Sequence, residues 1–235
     1  MYLDPLYFVF FIPPLLLSMW ASWKTRSAFK KYSNVKTLTG LTGAQAAERL
    51  LRQASITDVK VVPTRGYLSD HYNPVNKTLA LSEAVYASAS VAAVGVACHE
   101  AGHAIQHATS YKPLWLRSLL VPTANIGSKV GYFAMMIGLM MAYGGSVLGT
   151  KIVILGAVFF SAVILFQLVT LPVEFDASAR AKRLAVEYGI VLEQERVGVD
   201  RVLNAAALTY VAAAVASLAQ LLYFLVRSGA LGGRR

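Results

Sequence analysis

His99 and His103 stand four residues apart, with Glu100 next to the first, in the run VACHEAGHAIQH. On a helix, residues i and i+4 share a face with Cβ atoms ~5–6 Å apart. Two imidazoles so placed can meet one zinc ion through bonds of ~2.0–2.1 Å. A carboxylate one position on flanks the place of a metal-bound water. It can take that water's proton while the metal lowers the water pKa toward ~7 and polarises a carbonyl. The spacing is the H-E-x-x-H pattern of zinc sites. Three of the four histidines in the chain fall within residues 99–107, between apolar flanks that suit a buried helix. The plain alternative is a helix carrying stray histidines. Gly102 costs the helix ~1 kcal/mol, a sign that another backbone or a substrate approaches there. His107 is expected one turn beyond the ion, as a supporting or surface residue, with a ligand role as the alternative. Thr109 holds the place of the third histidine in the longer three-histidine motif, which excludes that version.

A catalytic zinc site takes three protein ligands and leaves one position open. The distal carboxylates best placed to supply the third are Glu174 and Asp176, in LPVEFDASARA. Glu174 is the expected ligand and Asp176 the expected acceptor that orients a ligand histidine; Asp176 as ligand is the alternative. Pro172 predicts a new helix starting at Glu174, whose N-terminus suits acidic groups. The competing explanation is that both residues cap that helix and pair with Arg180 or Lys182. His71, in SDHYNP, is a candidate catalytic residue. A protonated histidine or a tyrosine hydroxyl there would stabilise an oxyanion, and a turn held by Asp70 and Asn73 is the alternative. Cys98 falls on another helical face and reads as a small buried residue. Being the sole cysteine, it excludes an internal disulfide framework and a Cys-rich zinc knuckle.

The elements that must position these residues are mostly apolar. The chain of 235 residues is 56% hydrophobic and 14% charged, against ~45–50% and ~25% for a soluble domain. It reads as an integral membrane protein, mainly α, with about four transmembrane helices and a small α+β cytoplasmic unit. The expected spans are Pro5–Trp23, with Pro13 and Pro14 kinking or breaking it, then Val130–Leu148, Ile152–Val173 and Val202–Val226. Residues 1–23 form an uncleaved anchor, since no basic residue precedes its apolar run. Residues 24–129 form the unit with the H-E-x-x-H helix, and 130–173 form two spans. Residues 174–201 supply the third ligand, and 202–235 form the last span and tail. If 24–129 and 174–201 face the cytoplasm, that side holds 18 of the 22 Lys and Arg, as orientation by positive charge requires. Arg227, Arg234 and Arg235 go against the count. The net charge of +10 belongs beside anionic lipid, and no nucleic-acid module accompanies it.

Within the cytoplasmic unit, Gly43–Ala54 reads as a helix capped by Thr42, with Ala44, Ala47, Leu50 and Leu51 on one face. Val59–Val62 reads as a strand broken by Pro63, Arg65–Pro74 as turns, and Thr78–Leu81 as an edge strand on which a peptide could add. Ser82 is expected to cap one long helix over Glu83–Ala108.

The blocks GYLSDHYNP with ALSEAVY, then VACHEAGHAIQH, then LPVEFDASARA, in this order, resemble the YugP-type neutral zinc metallopeptidases of bacterial membranes. The resemblance covers most of the chain. It implies a zincin-like unit, Zn²⁺ as cofactor, His99 and His103 as ligands, Glu100 as catalytic base and Glu174 as a gluzincin-like third ligand. The more distant HtpX and CAAX-prenyl-protease group places an Asp four residues after its ligand Glu. Position 178 here is Ser, so no Asp role carries over from that group. The expected function is a membrane zinc endopeptidase of a bacterial inner membrane, acting near the bilayer surface on a peptide or membrane protein. The alternatives are a site-2-type intramembrane protease, against which stands the lack of a distal Asp-Gly motif in a later span, and a zinc-stabilised scaffold, for which Glu100 has no use. A zinc transporter would need ionisable groups at span centres. The Ala- and Gly-rich spans permit self-association without specifying a stoichiometry.

Overall fold

The apolar runs fold as helices long and apolar enough to cross a membrane: Pro5–Ser33, Lys112–Tyr143, Val147–Glu187 and Glu193–Arg227. The computed structural model describes residues 4–231. In chain order the elements are α1 (Pro5–Ser33), α2 (Gly43–Gln53), β1 (Lys60–Thr64), β2 (His71–Asn73), β3 (Thr78–Ser82), α3 (Glu83–Tyr86), α4 (Val91–Ala108), α5 (Lys112–Ile126), α6 (Tyr132–Tyr143), α7 (Val147–Glu187) and α8 (Glu193–Arg227), with one π-helical turn, Gly127–Gly131, joining α5 to α6. The protein is a mainly α membrane protein carrying a small α+β unit. Two compact units divide the chain: Ala21–Trp115 with Pro172–Thr209, and Met1–Trp20 with Leu116–Leu171 and Tyr210–Arg235.

Proline does not end these helices. Pro13 and Pro14 lie inside α1 and Pro172 inside α7, so of the kink or break expected in the first span the break is excluded, and the new helix expected at Glu174 is corrected to a continuation of α7. A proline forfeits one N–H and costs ~3 kcal/mol or more in a helix interior. Uncoiling in lipid would unpair more groups than that, so the helices continue through their prolines. The second span ends at Tyr143, short of the expected Leu148, because Gly145 turns the chain at a φ of +82°.

In the unit of Ala21–Trp115 and Pro172–Thr209, α2 is set by its sequence. Thr42 and Gln45 form a reciprocal capping box, and Ala44, Ala47, Leu50 and Leu51 are buried. The sheet order is β1-β3-β2, with β1 parallel and β2 antiparallel to β3. Thus β3 is the central strand, not an edge, and Leu79, Ala80 and Leu81 are buried. β1 continues through Pro63 to Thr64; as an edge strand it tolerates a residue without an N–H. The predicted long helix is broken after Tyr86. Asp70 Oδ1 accepts from both the N–H and the hydroxyl of Ser82, at 2.7 and 3.0 Å, so Ser82 is not free to cap. Ser90 caps α4 instead, its Oγ accepting from Ala93 N–H at 3.2 Å. Leu50, Leu81, Val85, Val94, Ala97 and Ala101 share one core with Ala181, Ala185 and Val199.

In the other unit, Met135, Leu139, Val153, Phe160 and Phe224 form the core, while Met19, Met140 and Val158 are exposed at 61%, 68% and 64%, as lipid-facing residues are. Small residues let the helices of the hairpin meet backbone to backbone: a Cβ on Gly138 would lie 2.7 Å from Val153 N and 2.8 Å from the Gly149 carbonyl. At one end, Asp4 Oδ2 accepts from Arg227 Nε at 2.7 Å, and Arg227 lies over the Tyr143 ring at 4.7 Å. Gly138→Leu is expected to lower the unfolding temperature in detergent by several degrees, since overpacking costs ~1–3 kcal/mol, whereas Met140→Leu leaves it unchanged. Equal thermal scans for the two variants would refute the backbone contact.

Candidate metal centre

α4 presents His99 and His103 on one face, and α7 crosses it with the stripe Glu174, Ala177, Ser178 and Ala181, spaced i, i+3, i+4, i+7. Gly102 is the point of closest approach. A Cβ there would lie 2.6 Å from the Ala177 carbonyl oxygen, so the approaching body that its helix cost implies is the α7 backbone. This contact brings Glu174 between the two histidines. Its Oε2 lies 3.2 Å from His99 Nε2 and 3.5 Å from His103 Nε2, and one ligand atom from each of the three residues lies within 4.8 Å of the others.

These residues fit zinc. Atoms ~2.0–2.2 Å from one tetrahedral ion stand about 3.3–3.5 Å apart, the separations just given for the Glu174 oxygen. Two imidazoles and a carboxylate also form a donor set that zinc accepts. Each histidine has a partner at its other nitrogen: Ser178 Oγ lies 3.1 Å from His99 Nδ1, and Gln106 Oε1 lies 3.0 Å from His103 Nδ1. Both rings therefore turn Nε2 toward the carboxylate. The cluster is buried, with Glu174, His103 and Glu100 exposed at 2%, 7% and 8%. Burial alone would lower the His103 imidazole below its ordinary value. The hydrogen bond to Glu174 and the charges of Glu100 and Glu174 outweigh burial and raise it.

The remaining candidates separate. Asp176 does not touch a histidine. Its Oδ2 accepts from Gln106 Nε2 at 2.8 Å and from Arg180 Nε at 2.6 Å. The Arg180 pair is one the sequence offered as an alternative, but α7 runs through position 172, so neither Glu174 nor Asp176 caps a helix. His71 is exposed on β2, its Nδ1 2.9 Å from the Ser69 carbonyl. Side chains alternate along a strand, and it is the next residue, Tyr72, that faces α4. Its hydroxyl is hydrogen-bonded to His107 Nδ1 at 2.8 Å, beside a cavity of about 240 Å³ between Ala104, Val59 and Ile56. The loop supports expected of Asp70 and Asn73 are present: Asp70 holds Ser82, and Asn73 Oδ1 accepts from Val75 N–H at 2.9 Å. Cys98 is fully buried, and burial pushes its thiol up to about 12. Gln106 and Ser178 are the site residues that the sequence reading missed. Ser178 was findable at i+4 from Glu174, and Gln106 at i+3 from His103.

Gly102→Ala is expected to weaken zinc binding at least tenfold, because a separation of α4 from α7 moves Glu174 off both Nε2 atoms; isothermal titration with zinc in detergent measures it. A second expectation concerns pH. Because the folded-state value of His103 is raised, its proton stabilises the metal-free fold fully below the ordinary imidazole value of 6.5, and that stability is lost as pH rises through the raised value. Zinc needs the neutral ring and competes with that proton. The rise in melting temperature on zinc addition is therefore smallest at acid pH and grows with pH; a rise that shrinks with pH would contradict the assignment.

Residues 7–229 match the family described as "Putative neutral zinc metallopeptidase". A relative from Bacillus subtilis (strain 168), "Putative membrane protease YugP", is 47% identical over 216 residues, covering 92% of this chain and 93% of its own. No solved structure matches the chain. The match takes in α4, Glu174 and all but the tip of the apolar helices. This chain belongs to the neutral zinc metallopeptidase family of that description.

Proposed function

We propose that the chain is a membrane-anchored zinc-dependent endopeptidase that hydrolyses peptide bonds with Glu100 as general base. The observation that carries this reading is the convergence of His99, His103 and Glu174 within 4.8 Å, with Glu100 buried on the same helix. The three residues would hold zinc and leave one coordination position open. A bound zinc ion supplies Lewis acidity, lowering the pKa of a water toward ~7 and polarising the scissile carbonyl. Glu100 sits ~100° round the helix from His99, flanking the ligands rather than joining them. From there its carboxylate takes the proton of the attacking water and passes it to the leaving amine, a contribution of ~10²–10⁴-fold. Burial of these side chains strengthens each of these charge interactions.

The substrate is a peptide or a segment of a membrane protein, held extended along β2, whose outer edge is unpaired in the order β1-β3-β2. The orientation of Tyr72 toward α4 favours its hydroxyl over His71 as the oxyanion donor from that strand. The charge count favours a bacterial inner membrane with the catalytic unit on the cytoplasmic side, and the pairing of Arg227 with Asp4 removes one of the charges opposing it. Packing of α4 in one core with Leu79, Leu81 and α2 supports a site at the bilayer surface rather than one immersed in lipid.

Glu100→Gln is expected to keep about one zinc per chain and to lose casein-type proteolysis by at least ~10²-fold. Glu174→Ala is expected to lose zinc, and to lose more of it than Asp176→Ala. Zinc analysis and proteolysis on the same detergent-purified samples decide the matter. Retained cleavage by Glu100→Gln would overturn the mechanism, and the reverse order of zinc loss would move the ligand to Asp176.

A further inference from the structure

Gln106 is completely buried, at 0% exposure, one turn past His103 on α4. A buried amide left unpaired is costly, and Gln106 pairs its acceptor and both donors. Nε2 donates to the Val173 carbonyl and to Asp176 Oδ2, each at 2.8 Å. A carbonyl and a carboxylate only accept, so the amide cannot be turned round. Oε1 must therefore face His103 Nδ1 at 3.0 Å, and that nitrogen must carry the proton. In the neutral ring the lone pair then belongs to Nε2, the atom turned toward Glu174.

We propose that Gln106 is a positioning residue, anchored by Asp176 and Val173, that fixes the tautomer and ring angle of His103 for metal binding. Asp176 acts on the histidine through this amide, not by touching it. Arg180 holds Asp176 in turn at 2.6 Å. The bond to Val173 also ties α4 to the residue before Glu174, so one amide sets two of the three ligands. His99 is treated differently: its Nδ1 faces the Ser178 hydroxyl, and a hydroxyl both donates and accepts, so Ser178 does not by itself choose a tautomer. The inference rests on the reading of His99, His103 and Glu174 as a zinc site.

The test uses the full chain in detergent, labelled with ¹⁵N-histidine, with four histidines in all. In metal-free protein at alkaline pH, wild-type His103 is expected as a single Nδ1–H tautomer. Gln106→Leu, which keeps the bulk, gives a tautomer mixture, binds zinc about 10–100-fold more weakly and alters the visible spectrum of the cobalt-substituted site. Asp176→Ala, which removes the acceptor, weakens zinc binding in the wild-type background but has no further effect in Gln106→Leu, because its influence passes through the amide. Additive losses from the two substitutions, or an unchanged tautomer and zinc affinity in folded Gln106→Leu, would overturn the proposal and leave the zinc site standing. Wild-type protein that binds no zinc would overturn the zinc reading itself, and the positioning role with it. Asp176→Ala, at a carboxylate 29% exposed, still reads the coupling in the wild-type background if Gln106→Leu does not fold: unchanged zinc affinity there would also overturn the proposal.

Discussion

The site depends on two backbones meeting without a side chain between them. Where Gly102 faces the Ala177 carbonyl, α4 and α7 approach closely enough for a short glutamate to reach two histidines 75 and 71 positions away in the chain. The surrounding residues serve the same approach: Ala101, Ala177 and Ala181 are completely buried and small. Such packing forfeits the apolar area that leucines would bury. It gains a fixed distance between ligands, and a metal site tolerates error in that distance poorly.

Electrostatics adds a second constraint. Glu174 is a carboxylate at 2% exposure, and an ion so far from water is stable only beside opposite charge. In the metal-free chain Glu174 raises the affinity of His103 for the proton that can supply that charge. With a divalent cation bound, the cation supplies it and the proton leaves. The same carboxylate thus has two alternative counter-charges, and the polar chain from His103 through Gln106 to Asp176 and Arg180 serves both. Removal of either histidine takes from a buried anion one of the two imidazoles beside it.

Legibility followed the range of the forces. Local signals were clear in the sequence: the i, i+4 histidines, the Thr42 capping box of α2, and four apolar runs. Glu174 was reachable by elimination, since few distal carboxylates exist. The errors came where a local rule met a tertiary or lipid environment. Pro13, Pro14 and Pro172 break helices in water but stay within long apolar ones, so the helix start expected at Glu174 does not exist. Thr78–Leu81 alternates too weakly to reveal that β3 is covered on both edges. Ser82 donates to Asp70, twelve residues earlier, and Ser90, beyond the break after Tyr86, caps α4 instead. Gln106 drew no reading, because its i+3 spacing from His103 does not say that Val173 and Asp176 stand opposite it.

Cys98 adjoins a ligand histidine yet is turned into the core, its thiol held protonated at neutral pH. Thiolate, not thiol, is the donor that thiophilic ions seek. The centre therefore offers nitrogen and oxygen alone, although sulfur stands one residue away. A softer ion such as copper(I) would find no thiolate beside His99, because one small side chain points into the core and leaves imidazole and carboxylate to face the centre.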